Sequence, residues 1–225
     1  MTAGTPHLAP ARSPLAAGWL LPVGLVAGLA AIVGVRWLAT LGGTDPLLVG
    51  LAFGLTLAGL ASVAGGRRRG LAMDHIRLRL IDASAVGAAR RPAIALVAGV
   101  GFGLVLVGIA LVGPVLAGTS TVPGLGRPAA PFLPWAAITL IVASAEEVLL
   151  RGVLLDRVRR AGGLAVAVVL TSAVFALMHV PMYGWHVVPL DFAVGLGLAG
   201  LRLTTRSLVA PVAAHSVADL ATWWL

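Results

Sequence analysis

Seven apolar segments, each near the length that crosses a bilayer, leave this chain little choice of fold. They run over Leu15–Val35, Pro46–Ala64, Ala93–Leu116, Phe132–Leu155, Gly163–Val180, Val187–Leu201 and Ser207–Trp224. A hydrocarbon core of ~30 Å takes ~20 residues of helix. Backbone polar groups in lipid must bond within their own segment, which a helix achieves and an open sheet does not. The expected fold class is therefore all-α, a multi-pass transmembrane helical bundle of about seven spans. Only 11% of the residues are charged, against about 25% in soluble domains. The expected organisation is residues 1–92 for the first two spans and a basic inner loop, and residues 93–225 for the remaining five.

The charge balance excludes one class of partner. A net charge of +8 suggests nucleic acid until its distribution is read: all sixteen basic residues are arginines, and they lie mainly in the connections between apolar runs. With the N-terminus inside, fourteen fall on the inner side and two, Arg36 and Arg127, on the outer side. That asymmetry satisfies the positive-inside rule. It predicts a multi-pass protein of the cell membrane with a cytoplasmic N-terminus and an uncleaved first span, facing membrane lipids rather than nucleic acid. The loop Gly66–Pro92, with its mixed Leu71–Ile81 stretch, is expected to lie against anionic lipid. The loop Gly118–Pro131 is expected to be irregular. Trp135, Trp185, Trp223 and Trp224 suit an aromatic belt. The absence of cysteine excludes disulfides, iron–sulfur clusters and thiol nucleophiles.

Against this background two adjacent carboxylates stand out. Glu146 and Glu147 are the only glutamates, and they lie inside a span. An ionisable group in a membrane helix is costly unless compensated and reads as functional. Glu147 and Arg151, four apart, share a helical face in the favourable order for an ion pair. Glu146 points about 100° away and is free to face another partner. The plainer alternative, neutralisation of arginines at the inner surface, needs no carboxylate ~15 Å deep. Phe175 and His179 share a face of the fifth span, and His215 and Asp219 share one in the seventh. A histidine beside Glu146 would orient a water that the carboxylate deprotonates. His215 would donate to a developing oxyanion, with Asp219 fixing its tautomer or itself donating if protonated. Ser207 is a suitable N-cap for that last helix. Asp191, after Pro189, is expected to serve a helix N-terminus. Helical rise puts Glu146 and His215 ~12–15 Å from the inner surface but His179 ~24 Å, a mismatch of ~10 Å.

The three motifs in order, Glu146-Glu147-Val148-Leu149-Leu150-Arg151, Phe175-x-x-x-His179 and His215-x-x-x-Asp219, resemble the CPBP family of intramembrane proteases. That family, also called Abi, includes type II CAAX prenyl endopeptidases and bacterial bacteriocin-processing or self-immunity proteins. The resemblance covers about 132–225, which would be the protease core. It implies peptide-bond hydrolysis at the membrane: Glu146 with His179 activating water, His215 with Asp219 stabilising the oxyanion, and Glu147, Arg151 and Phe175 supporting. Where the eukaryotic enzymes have Asn, this chain has Asp219. Asn donates a hydrogen bond at any pH, whereas an ionised Asp repels an oxyanion, so orienting His215 and binding a metal are the other roles open to it. The family's chemistry is described both as metal-dependent and as glutamate-dependent. Zinc held by Glu146, His179, His215 and Asp219, or no cofactor at all, fits these residue types. The implied partner is a peptide or membrane-protein substrate. The rival functions for such a cluster are an ion- or proton-coupled transporter, whose inverted repeats are not evident, and a non-catalytic membrane partner.

Overall fold

A computed structural model describes residues 14–66, 85–116 and 130–225, with side chains described over 18–65, 92–112 and 130–225. The Leu71–Ile81 stretch and nearly all of the loop before Pro131 lie outside the described residues. The described elements are helical: α1 (Pro14–Leu41), α2 (Pro46–Gly66), α3 (Ala85–Leu116), α4 (Phe132–Glu147), a π-helical segment (Val148–Leu154), α5 (Leu155–Tyr183), a 3-10 turn (Trp185–Val187), α6 (Val188–Thr205) and α7 (Val209–Ala221). Among the described residues five runs are long and apolar enough to cross a membrane. One of them, Phe132–Tyr183, has 52 residues and is two expected spans folded at Gly163, whose φ of 85° and ψ of 174° break the helix. Glycine reaches that backbone region without steric cost. The protein is thus a multi-pass all-α bundle, and α3 begins earlier than the expected Ala93 because Ala85–Arg91 extends it as helix.

The helices are apolar around their whole circumference, as expected of elements with lipid on one side and protein on the other. On α1, Leu25, Leu29 and Val33 recur every fourth residue and are buried with Phe53, Leu57, Ala61 and Ala64 of α2. Val23, Val35 and Leu38 point away and are exposed. Small residues set the close crossings, since lipid supplies no hydrophobic drive between helices. Gly50 and Gly54 of α2 face Ile138, Ile141 and Val142 of α4. Gly99 and Gly103 of α3, one small-x-x-x-small unit, lie against Ala210, Ala213, Ala214 and Val217 of α7.

The hairpin at Gly163 sets the register of the site. Arg151 lies twelve residues before Gly163 and Phe175 twelve after it, and the Arg151 Cζ sits 4.6 Å over the Phe175 ring. By the same count Glu146 and His179, seventeen and sixteen residues from the bend, stand level at ~25 Å. The expected mismatch disappears. It arose from placing the inner surface at Arg157, whereas the helix continues to Gly162. Arg157 remains within the bundle, its Nη2 donating to the Ala64 carbonyl at 2.8 Å.

The last helix is short for a related reason. Arg206, with φ 55°, ends α6, and Thr205 and Ser207 bridge to α7. The Ser207 N–H donates to Thr205 Oγ1 at 3.3 Å and the Val209 N–H donates to Ser207 Oγ at 3.1 Å. The N-cap of α7 is Leu208, without a side-chain cap bond, so the expected cap Ser207 lies one position earlier and accepts from the first N–H of the helix only. Leu208 faces Gly152, so α7 starts part-way up the hairpin arm. Seven residues later it brings His215 to the level of the glutamates.

Candidate active site

Three segments, α4, the π-helical segment and α7, contribute one polar cluster. Glu147 Oε1 accepts from Arg151 Nη1 at 2.8 Å and from His215 Nδ1 at 3.0 Å. Because that carboxylate is paired with a guanidinium, Nδ1 is the donor and carries the proton. His215 Nε2 faces Glu146 Oε2 at 3.7 Å and Asp219 Oδ2 at 3.4 Å. The expected Glu147–Arg151 pair is present, and Glu146 meets His215 as its separate direction allowed. Asp219 takes a different place from the one expected. Glu147, rather than Asp219, holds the Nδ1 side of His215, and Asp219 approaches the opposite nitrogen.

The π-helical segment belongs to this arrangement. Its i→i+5 bonding widens the helix around Arg151, and Arg202 Nε donates to the Arg151 carbonyl at 3.3 Å. Arg151 Nη2 donates to the Gly195 carbonyl at 3.2 Å. Gly195 meets the Ser172 backbone so closely that a Cβ would lie 2.9 Å from Ser172 Cα, which draws α6 against α5 and within reach of the guanidinium.

His179 stands beside this cluster rather than within it. Its ring is edge-on to Phe175 at 4.8 Å, and the same Phe175 ring lies 5.3 Å from His215. No hydrogen bond or ion pair joins His179 to Glu146 among the described residues; the expected pairing runs through a water that both would face. His179 Nδ1 lies 2.8 Å from the Phe175 carbonyl and 3.4 Å from Asp191 Oδ2. Asp191 occupies the first turn of α6 as expected, but it also partners His179, which sequence reasoning missed. The available signal was the shortness of the α5–α6 connection: four residues, Gly184 to Val187, bring the end of one helix beside the start of the next. Tyr183 ends α5 with its ring 6.0 Å from that of His179.

The cluster is closed at one end and open at the other. The side chains of Glu147 and Arg151 are 0% exposed and those of Glu146 and His215 2% and 5%. Those of His179, Asp191 and Asp219 are 16%, 22% and 39% exposed. The site therefore opens toward the Gly184 end of the hairpin, away from Gly163. Glu147 Oε2, Arg151 Nε, Ser172 Oγ and Ser216 Oγ are buried without a hydrogen-bond partner, so this region has polar capacity for water. Among the described residues no three His, Asp or Glu side chains are grouped to hold a metal ion, and both nitrogens of His215 face carboxylates.

Residues 128–221 match the family model described as type II CAAX prenyl endopeptidase Rce1-like. The match spans all three motifs and agrees with the family that they resemble. Comparison with curated proteins and with solved structures gives no match.

Proposed function

We propose that this chain is an intramembrane endopeptidase that hydrolyses peptide bonds of membrane-associated substrates with a water activated by Glu146. The observation that carries the proposal is that His215 Nε2 faces both Glu146 Oε2, at 3.7 Å, and Asp219 Oδ2, at 3.4 Å, inside a bundle of apolar helices. Polar contacts at that separation accommodate a bridging water. The matched family's description, which names an endopeptidase, supports the same reaction.

In this mechanism Glu146 takes a proton from the water as its oxygen attacks the substrate carbonyl carbon. The carbonyl π electrons move onto oxygen, and a protonated His215 Nε2 donates to that oxyanion. Glu147 and Arg151 hold the imidazole by its Nδ1 face, so Nε2 keeps its aim. Glu146 then passes its proton to the leaving amine as the C–N bond breaks. His179 presents its second nitrogen from across Phe175 to orient water or substrate. Asp219, the most open member, stands at the mouth beside the reacting water, and a protonated Asp219 would donate where an Asn does elsewhere. No step requires a metal.

Orientation follows from charge. Arg157, Arg159, Arg160, Arg202 and Arg206 all flank the Gly163 end, so that end is assigned to the cytoplasm and the site opens toward the opposite face. The test is purified full-length protein in proteoliposomes with quenched membrane-anchored peptides. Glu146→Gln should reduce kcat by at least about 1000-fold while retaining the native elution profile, the scale expected for removal of an essential base. Wild-type turnover in the Glu146→Gln protein would overturn the mechanism.

A further inference from the structure

Resting on that reading, we propose that Asp191 is a positioning residue of the same site, forming with His179 a second carboxylate–histidine dyad that mirrors Glu147–His215 across Phe175. The two histidines come from different helices and have different neighbours, yet each is held at Nδ1. For His215 the acceptor is Glu147. For His179 the acceptor is the Phe175 carbonyl at 2.8 Å, and Asp191 Oδ2 stands beside the same nitrogen at 3.4 Å. A carbonyl oxygen only accepts, so Nδ1 of His179 carries the proton and the neutral ring keeps its lone pair on Nε2. Nε2 has no hydrogen-bond partner among the described residues, which leaves it available to substrate or water.

Asp191 adds what the carbonyl cannot. The Phe175 carbonyl fixes the tautomer, and the carboxylate supplies a negative charge beside the ring that favours any proton His179 gains during turnover. The same geometry explains the placement of Asp191. A first-turn carboxylate is favoured by the helix dipole of α6, and the short turn through Gly184 sets that first turn against the last turn of α5. Both side chains are partly open, 16% and 22% exposed, so the dyad lines the route from the mouth to the buried cluster. Phe175 lies edge-on between the two imidazoles at 4.8 and 5.3 Å, which keeps the dyads separate while holding both rings in register.

The experiment combines an activity-free readout with kinetics on the full-length protein. In [15N]histidine-labelled protein in micelles, with His179→Gln assigning its signals, the Nδ1–H tautomer of His179 should be found. Asp191→Asn should move the Nδ1 proton resonance upfield and speed its exchange. Asn at this position remains a good first-turn residue, so the helix should persist. On quenched peptides Asp191→Asn should lower kcat about tenfold with KM little changed, the scale of one charge-assisted hydrogen bond. Asp191→Glu should restore most of the loss, and Asp191→Asn should add nothing in a His179→Ala background. An unchanged His179 resonance, or an equal loss in the His179→Ala background, would overturn the assignment. If the wild-type protein turns over no peptide, the reading as a peptidase fails, while the resonance still decides whether the dyad exists.

Discussion

Replacing Arg151 tests how this bundle holds a charge in its interior. Arg151 is fully buried, and its guanidinium makes three kinds of contact: the Glu147 carboxylate, the Gly195 carbonyl and the face of Phe175. In a soluble protein, removing one partner of a buried ion pair costs about 3–5 kcal/mol. Here that figure overstates the effect, because Glu147 and Arg151 belong to one helix and remain paired when the helices separate within the bilayer. What separation breaks is the bond to Gly195, worth about 1–3 kcal/mol as a charged hydrogen bond, and the stacking on Phe175, about 1–2 kcal/mol when desolvated. Arg151→Met should therefore cost about 3 kcal/mol of helix association, roughly 100-fold in the equilibrium. Arg151→Lys keeps the charge, the pairing with Glu147 and a donor for the Gly195 carbonyl but loses the planar stack, so it should lose about half as much. The assay is unfolding in bicelles by steric trapping, for which a cysteine-free chain allows clean attachment of the probes. If Arg151→Lys were as stable as wild type while Arg151→Met lost 3 kcal/mol, charge alone would suffice and the argument from the planar stack would be wrong.

Two further predictions use the packing and the orientation. Gly103→Leu places a side chain against Val217, whose Cβ lies 2.7 Å from the built Cβ position, and against the Ala214 carbonyl at 2.8 Å; it should displace α7 and with it His215, cutting peptide cleavage at least tenfold while Gly101→Leu, which meets nothing within 4 Å, leaves it near wild type. Cysteines introduced singly at Tyr183 and Arg160 should label from opposite sides: a membrane-impermeant maleimide added to intact cells should reach position 183, and position 160 only after permeabilisation, with the reverse pattern refuting the assigned orientation.

The parts of the site that follow a helical period are legible in the sequence. Glu147–Arg151, Phe175–His179 and His215–Asp219 are each four apart, and each shares a face in the structure because a helix leaves such residues no alternative. Distances between helices are not encoded in that period. The level of His179 relative to Glu146 depends on where the chain turns, and the first arginine after the glutamates was a poor marker because Arg157 sits inside the bundle, bonded to Ala64. Asp191 was assigned to its own helix terminus, correctly as to position, but its partner lies across a turn whose tightness is set by Gly184 at φ 90°. The π-helical segment left no mark on hydropathy, since Val148–Leu154 is apolar on every side of Arg151. Expectations for the basic loop near Leu71–Ile81 fall outside the described residues.

Phe175 ties these levels together. It is 3% exposed and meets three groups able to carry positive charge: the Arg151 guanidinium over its ring face, and the imidazoles of His179 and His215, both in edge-type geometry at 72° and 77°. An aromatic ring has a negative face, so it receives a guanidinium where an aliphatic side chain of similar volume would only exclude water. It is also rigid and wide enough to hold the imidazoles on separate sides, which prevents them from pairing with each other and leaves each to its own carboxylate. The phenylalanine of the Phe-x-x-x-His motif is therefore more than core filling. Spaced four residues from His179 and level with Arg151 across the Gly163 hairpin, it converts three independently folded helical faces into one site with fixed distances between its charges.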